Sequence, residues 1–409
     1  MRIVLWHGYL LGGTGSNVYT RALAREWSRL GHQVTVVCQE RNPERYDIGG
    51  ARVVVPELPA GLLPVFVLDR YEGLRPKLLQ DFSDAELEAY VAANAEAVHA
   101  LLPADLVFVN HVLAGGAVGA RSAAPFVVKA HGSELEYSMR GNERLRRIGA
   151  AALEQADAVY VGSAHIRRVL EDVLGHVDRV HEVPPGVDVE EFAPRPREVA
   201  LACLVGEAER DPRDAGERHP DPGNAARFAA FFASDEPTVL YFGKLIENKG
   251  VQVLLEALGR LDARAVVVGF GDYRAELEAQ APPGTLFTGA LEHRHLVNLL
   301  PLVDASVVPS IFPEAFGMVA AEAAAAGVPP IVANHSGLSE IAAGIAAEYP
   351  PELAHLTSFP TGDVGVLRDR LRELLALPRE TRRALGAAAR RAVEERWSWT
   401  RVAQRLLHR

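Results

Sequence analysis

Two glutamates, Glu314 and Glu322, stand in a segment otherwise free of charge, Pro313-Glu314-Ala315-Phe316-Gly317-Met318-Val319-Ala320-Ala321-Glu322. A helix starting near Phe316 leaves Glu314 in the loop ahead of it and Glu322 over a turn inside it. The free amides of Phe316, Gly317 and Met318 would face an anion such as a diphosphate, and both carboxylates could accept hydrogen bonds from sugar or ribose hydroxyls. Upstream, Gly243-Lys244-Leu245-Ile246-Glu247-Asn248-Lys249-Gly250 runs from a strand into a helix. The helix dipole disfavours cations at that end. Lys244 and Lys249 make sense there if a pyrophosphate lies between them; the competing reading is a pair of solvated lysines.

Nearer the N-terminus, Gly12-Gly13-Thr14-Gly15-Ser16 follows the first apolar run and leads into a helix, which lets backbone N–H groups approach an anion. A dinucleotide fingerprint is the alternative, with Glu40 as its acidic partner, but its third glycine is replaced by Val18. His131-Gly132-Ser133-Glu134 follows another apolar run, so His131 is expected at the carboxyl end of a strand, facing a cleft.

The elements that must position these residues are short apolar runs alternating with helical patterns, as in parallel βαβ units. Strands are expected at 3–6, 34–38, 106–109, 126–130 and 158–161, then at 239–242, 265–268, 306–308 and 331–332, with a helix at 18–30 closed by Gly31. The resulting fold class is α/β, with two Rossmann-like doubly wound domains and a site in the cleft between them. The first spans 1–184 and is joined by a terminal helix at about 396–409. The second spans 185–395. The Pro-, Asp- and Arg-rich stretch 195–235 reads as a connector and exposed loop carrying one helix, 225–232.

The chain has 409 residues, too many for one ordinary core, and no apolar run of the length a membrane-spanning helix needs. Neither a signal peptide nor a disulfide framework is legible; the two cysteines, Cys38 and Cys203, fit a cytoplasmic protein. A net charge of −10 argues against nonspecific nucleic-acid binding. Arg140, Arg144, Arg146, Arg147, Arg167 and Arg168 form a local basic group, readable as a solvated helix face or as a peripheral contact with an anionic membrane or acceptor.

With these motifs in order, the sequence resembles the retaining GT-B glycosyltransferases of family 4. Glu314 and Glu322 match the E-x7-E motif. Gly243-Lys244-Leu245 with Lys249-Gly250 matches the phosphate site, with lysine in place of its usual arginine at 244. Gly12-Gly13 matches the N-terminal glycine loop, His131-Gly132 the H-G turn, and Trp397-Ser398-Trp399 the segment that returns to the first domain. The resemblance implies that Glu322 holds the nucleotide ribose, Glu314 the donor sugar with Phe316, Gly317 and Met318, and that Lys244 and Lys249 neutralise the departing diphosphate. His131 would orient the sugar or stabilise its positive charge. It also implies a nucleotide-sugar donor, UDP-linked more often than GDP-linked, a small-molecule or lipid-linked acceptor, retention of configuration, and no metal or other cofactor. The acceptor is expected on the first domain, at 12–16 and in the segment 64–79, where Arg70, Tyr71, Arg75 and Lys77 suit an anionic small molecule or lipid phosphate and equally a plain surface loop. A hydrolysing sugar-nucleotide epimerase on the same scaffold, a non-catalytic sugar-nucleotide-binding module and a dehydrogenase are the alternatives.

Overall fold

In the computed structural model, residues 1–13, 15–66, 73–212 and 218–408 are described. The chain divides into two compact units, Met1–Gly186 with Val402–Arg409, and Val187–Arg401.

The first unit is built on a seven-stranded parallel sheet. Its strands, from edge to edge, are Arg52–Val54, Gln33–Val37, Arg2–Trp6, Leu106–Asn110, Phe126–Lys129, Ala158–Val161 and Val180–Glu182. The central strands are buried along their length, which is why they read as unbroken apolar runs and not as alternating ones. Chain order reverses at Arg2–Trp6, which pairs with Gln33–Val37 on one side and Leu106–Asn110 on the other. Ligand crevices of open α/β sheets form at such a reversal, outside the strands' carboxyl ends. Helix Gly15–Arg29 covers the sheet with Leu23, Ala24 and Trp27 fully buried. The Trp27 indole N–H donates to the Ala403 carbonyl (3.0 Å), fastening the last helix, Trp399–Leu407, to this unit.

The second unit repeats the plan with six parallel strands in the order Thr285–Phe287, Arg264–Val268, Thr238–Phe242, Ala305–Val308, Pro330–Ala333 and Ser358–Phe359. The reversal now falls between Thr238–Phe242 and Ala305–Val308. Stretch 195–235 departs from the single expected helix: helices Arg197–Ala208 and Asn224–Phe231 both lie within it. Ala200, Leu204 and Ala208, spaced four apart, are buried in the core of this unit, so the first of these helices is an integral layer and not a loop. The expected terminal helix is Trp399–Leu407, and it follows directly on the helix Arg379–Arg396. Between them Val187 donates its N–H to the Trp397 carbonyl (2.7 Å) and accepts from the Trp399 N–H (3.2 Å). No helix among the described residues is long and apolar enough to cross a membrane.

Candidate functional site

On the second unit, the strand Thr238–Phe242 ends in Gly243 and Lys244, whose carbonyl accepts from the buried Tyr241 hydroxyl (2.8 Å). Lys244 itself is exposed and unpaired among the described residues. Lys249 closes a 3₁₀ turn, Glu247–Lys249, and Gly250 then caps helix Val251–Leu258 in the left-handed region at φ 69°. Only glycine fits there, because a Cβ would lie 2.0 Å from the Pro309 carbonyl oxygen.

Pro309 follows the adjacent strand, Ala305–Val308, and the contact brings the two loops together. Across it the Lys249 ammonium forms an ion pair with Glu314. Glu314 is held from behind: its N–H donates to the Ser336 hydroxyl (2.9 Å), and its carbonyl accepts from the Gly337 N–H (3.0 Å).

The following helix is Met318–Ala325, two residues later than the sequence suggests, because Gly317 at φ 108° is its N-cap. Phe316 is buried edge-on against Trp397, ring centres 5.8 Å apart. Neither this helix nor Val251–Leu258 has a side chain capping its first amides, which leaves donors for an anion at both N-termini.

Glu322 is buried inside the helix, as the one-turn offset requires, and burial pushes its carboxyl up to about 7, with Glu191 adding to the shift and His293 opposing it. The ring of His293 lies 4.0 Å from the Glu322 carboxylate and 3.7 Å from that of Glu191. Thus Lys249 and Glu314 meet directly, Glu322 lies inside the helix that follows Glu314, among partners of its own, and Lys244 forms no hydrogen bond or ion pair with any of them. Two further glycines, Gly269 and Gly271, were not singled out from the sequence. A Cβ on either would lie within 2.2 Å of the Gly243 or Leu245 carbonyl oxygen, so they let a third loop close on the lysine loop. The Gly-Phe-Gly spacing after an apolar run was the available signal.

The first unit gathers three histidines at the carboxyl ends of three adjacent strands: His7 after Arg2–Trp6, His111 after Leu106–Asn110 and His131 after Phe126–Lys129. Ring centres of His7 and His111 are 6.0 Å apart, and those of His111 and His131 are 4.7 Å apart. Asn110 donates to the Trp6 carbonyl and the Thr20 hydroxyl, both at 3.3 Å, which leaves its Oδ1 to accept from His131 Nε2 (2.7 Å). His131 therefore carries its proton on Nε2. Enclosure by its neighbours, with repulsion from His111, Lys129 and His7, holds its pKa well below the usual histidine value.

Glu134, fully buried, accepts from the His131 N–H (3.0 Å) and from His111 Nδ1 (3.2 Å). Burial raises its pKa, but His111 and the backbone donors outweigh that and leave it lowered. His111 sits at φ 70°, a conformation a non-glycine residue adopts under local constraint. Gly12 joins the cluster through Asn17, which donates to the Gly12 carbonyl while its Oδ1 accepts from His7 Nε2 (2.8 Å). Gly13 is exposed at φ 96° with no part in these bonds. His7, His111 and Glu134 escaped the motif reading, although a histidine one or two places beyond each of three apolar runs was visible.

The other basic residues are mostly committed locally. Arg140 pairs with Glu136, Arg144 with Asp84, Arg146 with Glu143, Arg167 with Glu171 and Lys77 with Glu86. That favours the solvated-face reading of the arginine group. Thr14, Arg70 and Tyr71 lie outside the described residues.

Residues 13–191 match the family described as Glycosyltransferase Family 4, and residues 224–392 match that described as Glycosyl transferases group 1. A Mycobacterium tuberculosis protein described as a GDP-mannose-dependent alpha-(1-6)-phosphatidylinositol monomannoside mannosyltransferase is 30% identical over 305 residues, 69% of each chain. The D-inositol 3-phosphate glycosyltransferase of Xylanimonas cellulosilytica is 29% identical, over 96% of this chain and 90% of that one. Among solved structures, HepE of Anabaena in complex with UDP superposes with a TM-score of 0.71 at 17% identity, covering 100% of this chain and 99% of that one, a likeness of fold.

Proposed function

Because this chain belongs to the GT-B glycosyltransferases, with a family 4 module followed by a group 1 module, we propose that it transfers a hexosyl unit from a nucleoside diphosphate sugar to a hydroxyl of a small-molecule or lipid-linked acceptor, with retention at the anomeric carbon. The observation that carries this reading is the Lys249–Glu314 ion pair beside two uncapped helix N-termini, with Glu322 buried one turn inside the second helix. A diphosphate arriving at those amides takes the Lys249 ammonium as its counter-ion. Glu314, released from the pair, then accepts hydroxyl hydrogen bonds from the donor sugar, and Glu322 those of the ribose. Lys244, uncommitted and exposed, adds a second charge to the leaving group.

The bond from the anomeric carbon to the diphosphate breaks. The acceptor oxygen bonds on the same face, and its proton passes to the departing phosphate oxygen. Two ammonium groups and two sets of helix amides supply the positive field that a metal supplies in other transferases, so the step is metal-independent. The family resemblance assigns His131 the role of orienting the sugar or stabilising its positive charge; in this chain its imidazole is neutral and oriented by Asn110.

The relative named as GDP-mannose-dependent makes GDP-mannose the first donor to test, ahead of the uridine donors that are commoner in the family. Calorimetric titration with GDP-mannose, GDP, UDP-glucose and UDP, with EDTA present and NAD as control, decides the donor. Saturable binding of one nucleotide family, abolished by Glu322→Ala, supports the reading. Binding of NAD alone, or a product with inverted configuration, overturns it.

A further inference from the structure

At the far end of the helix Met318–Ala325 from the candidate donor site, the second unit carries a groove of about 580 Å³. Segments 194–197 and 326–329 and one side of helix Arg379–Arg396 form its walls. Seven arginines and four carboxylates line it, with no lysine or histidine. Each carboxylate is already matched: Asp235 with Arg197 (3.5 Å), Glu236 with Arg264 (2.9 Å), Asp304 with Arg382 (3.1 Å) and Glu394 with Arg390 (2.7 Å). Arg390 is further tied down by the carbonyls of Phe192, Val189 and Ala325, the last ending the Glu322 helix.

That leaves a group of guanidiniums without a counter-charge. Among the described residues Arg195 donates only to neutral acceptors, the Asn298 side chain (2.6 Å) and the Glu191 carbonyl (3.4 Å). Arg379, Arg383 and Arg391 are exposed, with no hydrogen bond or ion pair among the described residues. Their spacing of four and eight places them on one side of the helix, spread over about 18 Å of its axis. Like charges lining one concavity repel one another, and here they do so in a chain whose net charge is −10. Solvated arginines on a convex face would carry no such implication. A concave, arginine-only excess has the shape and the forked donors for phosphate oxygens.

We propose that this groove is a second anion site, distinct from the donor site, for a ligand bearing two or more phosphate groups. One phosphate cannot meet guanidiniums so far apart, whereas a chain or ring of phosphates, free or as lipid headgroups, can. Tripolyphosphate titrated into the whole protein should bind at two sites. In R379S/R383S/R391S one of them should weaken by roughly tenfold or more, the scale of several charge-assisted hydrogen bonds, while GDP and GDP-mannose bind as before. In K244A/K249A the other should weaken. R379Q/R383Q/R391Q, which keeps longer side chains, should behave as the serine set and guards against an effect of lost packing. Cosedimentation with phosphatidylcholine vesicles, with and without phosphatidylglycerol, separates the sources. Loss of tripolyphosphate binding assigns a soluble phosphate ligand, and loss confined to the anionic vesicles assigns a lipid headgroup. If both variant sets match the wild type in both assays, the groove is not a phosphate site.

Discussion

Glu322 shows at the scale of one residue why a functional carboxylate can cost stability. Burial lifts its pKa from 4.5 to about 7, so the folded protein holds this proton more tightly than the unfolded chain does. The stabilisation from that group is complete below about pH 4.5, shrinks as pH rises and is lost above about 7. Glu322→Gln should therefore raise the unfolding free energy at pH 8, by as much as about 3 kcal/mol from the shift alone, and the gain should vanish near pH 4.5. Denaturant melts at the two pH values check this; an equal gain at both would mean that the carboxyl is not perturbed.

The lysines call for opposite treatment. Lys249 is engaged with Glu314 and belongs to a defined geometry, so Lys249→Ala should cut turnover by about two orders of magnitude, as loss of an electrostatic stabiliser does. Lys244 is exposed and uncommitted, so Lys244→Arg should keep turnover within a few-fold. Steady-state kinetics on both variants would expose a misassigned pair if the order were reversed.

Among the elements, the site depends on where helices begin and how closely loops approach. Gly250 sets both: its left-handed φ starts helix Val251–Leu258, and its missing side chain admits the Pro309 carbonyl. Gly250→Ala should cost about 2 kcal/mol or more and should also weaken nucleotide binding, because the Lys249–Glu314 register cannot survive a shift of either loop. Thermal melts with and without GDP would show both losses. A variant that melts earlier but binds normally would separate the register from the site. The same logic explains why the helix after Glu314 starts at Met318 and not Phe316: a left-handed Gly317 cannot be part of the first turn.

For the whole molecule, each unit carries its own sheet, its own reversal of strand order and its own cluster of polar residues at the carboxyl ends of its strands. If the nucleotide is held by the second unit, saturating GDP or GDP-mannose should stabilise that unit by mass action, about 2.7 kcal/mol at a hundredfold excess over Kd. Scanning calorimetry should then show the nucleotide-sensitive part of the endotherm moving up, an effect that Glu322→Ala removes. A uniform shift that persists in Glu322→Ala would place the nucleotide elsewhere.

Sequence alone determined the α/β class, because strands buried on both faces must be apolar along their whole length. It also marked Glu314, Lys244, Lys249 and His131, because each sits where an apolar run gives way to a helix, and Glu322, because it is the one charge in an Ala-rich helical segment. Edge strands such as Arg52–Val54, Val180–Glu182 and Ser358–Phe359 were not legible, since two or three residues carry no period. Helix Arg197–Ala208 was hidden by a polar, proline-rich context that masks three buried residues. Only tertiary structure could decide which polar groups meet. Lys249 and Glu314 are 65 positions apart in the chain. His7 and His131 share one cluster because the strands before them flank the strand that ends at His111. Whether an arginine is neutralised by a carboxylate or left facing a groove depends on distances that no local pattern encodes.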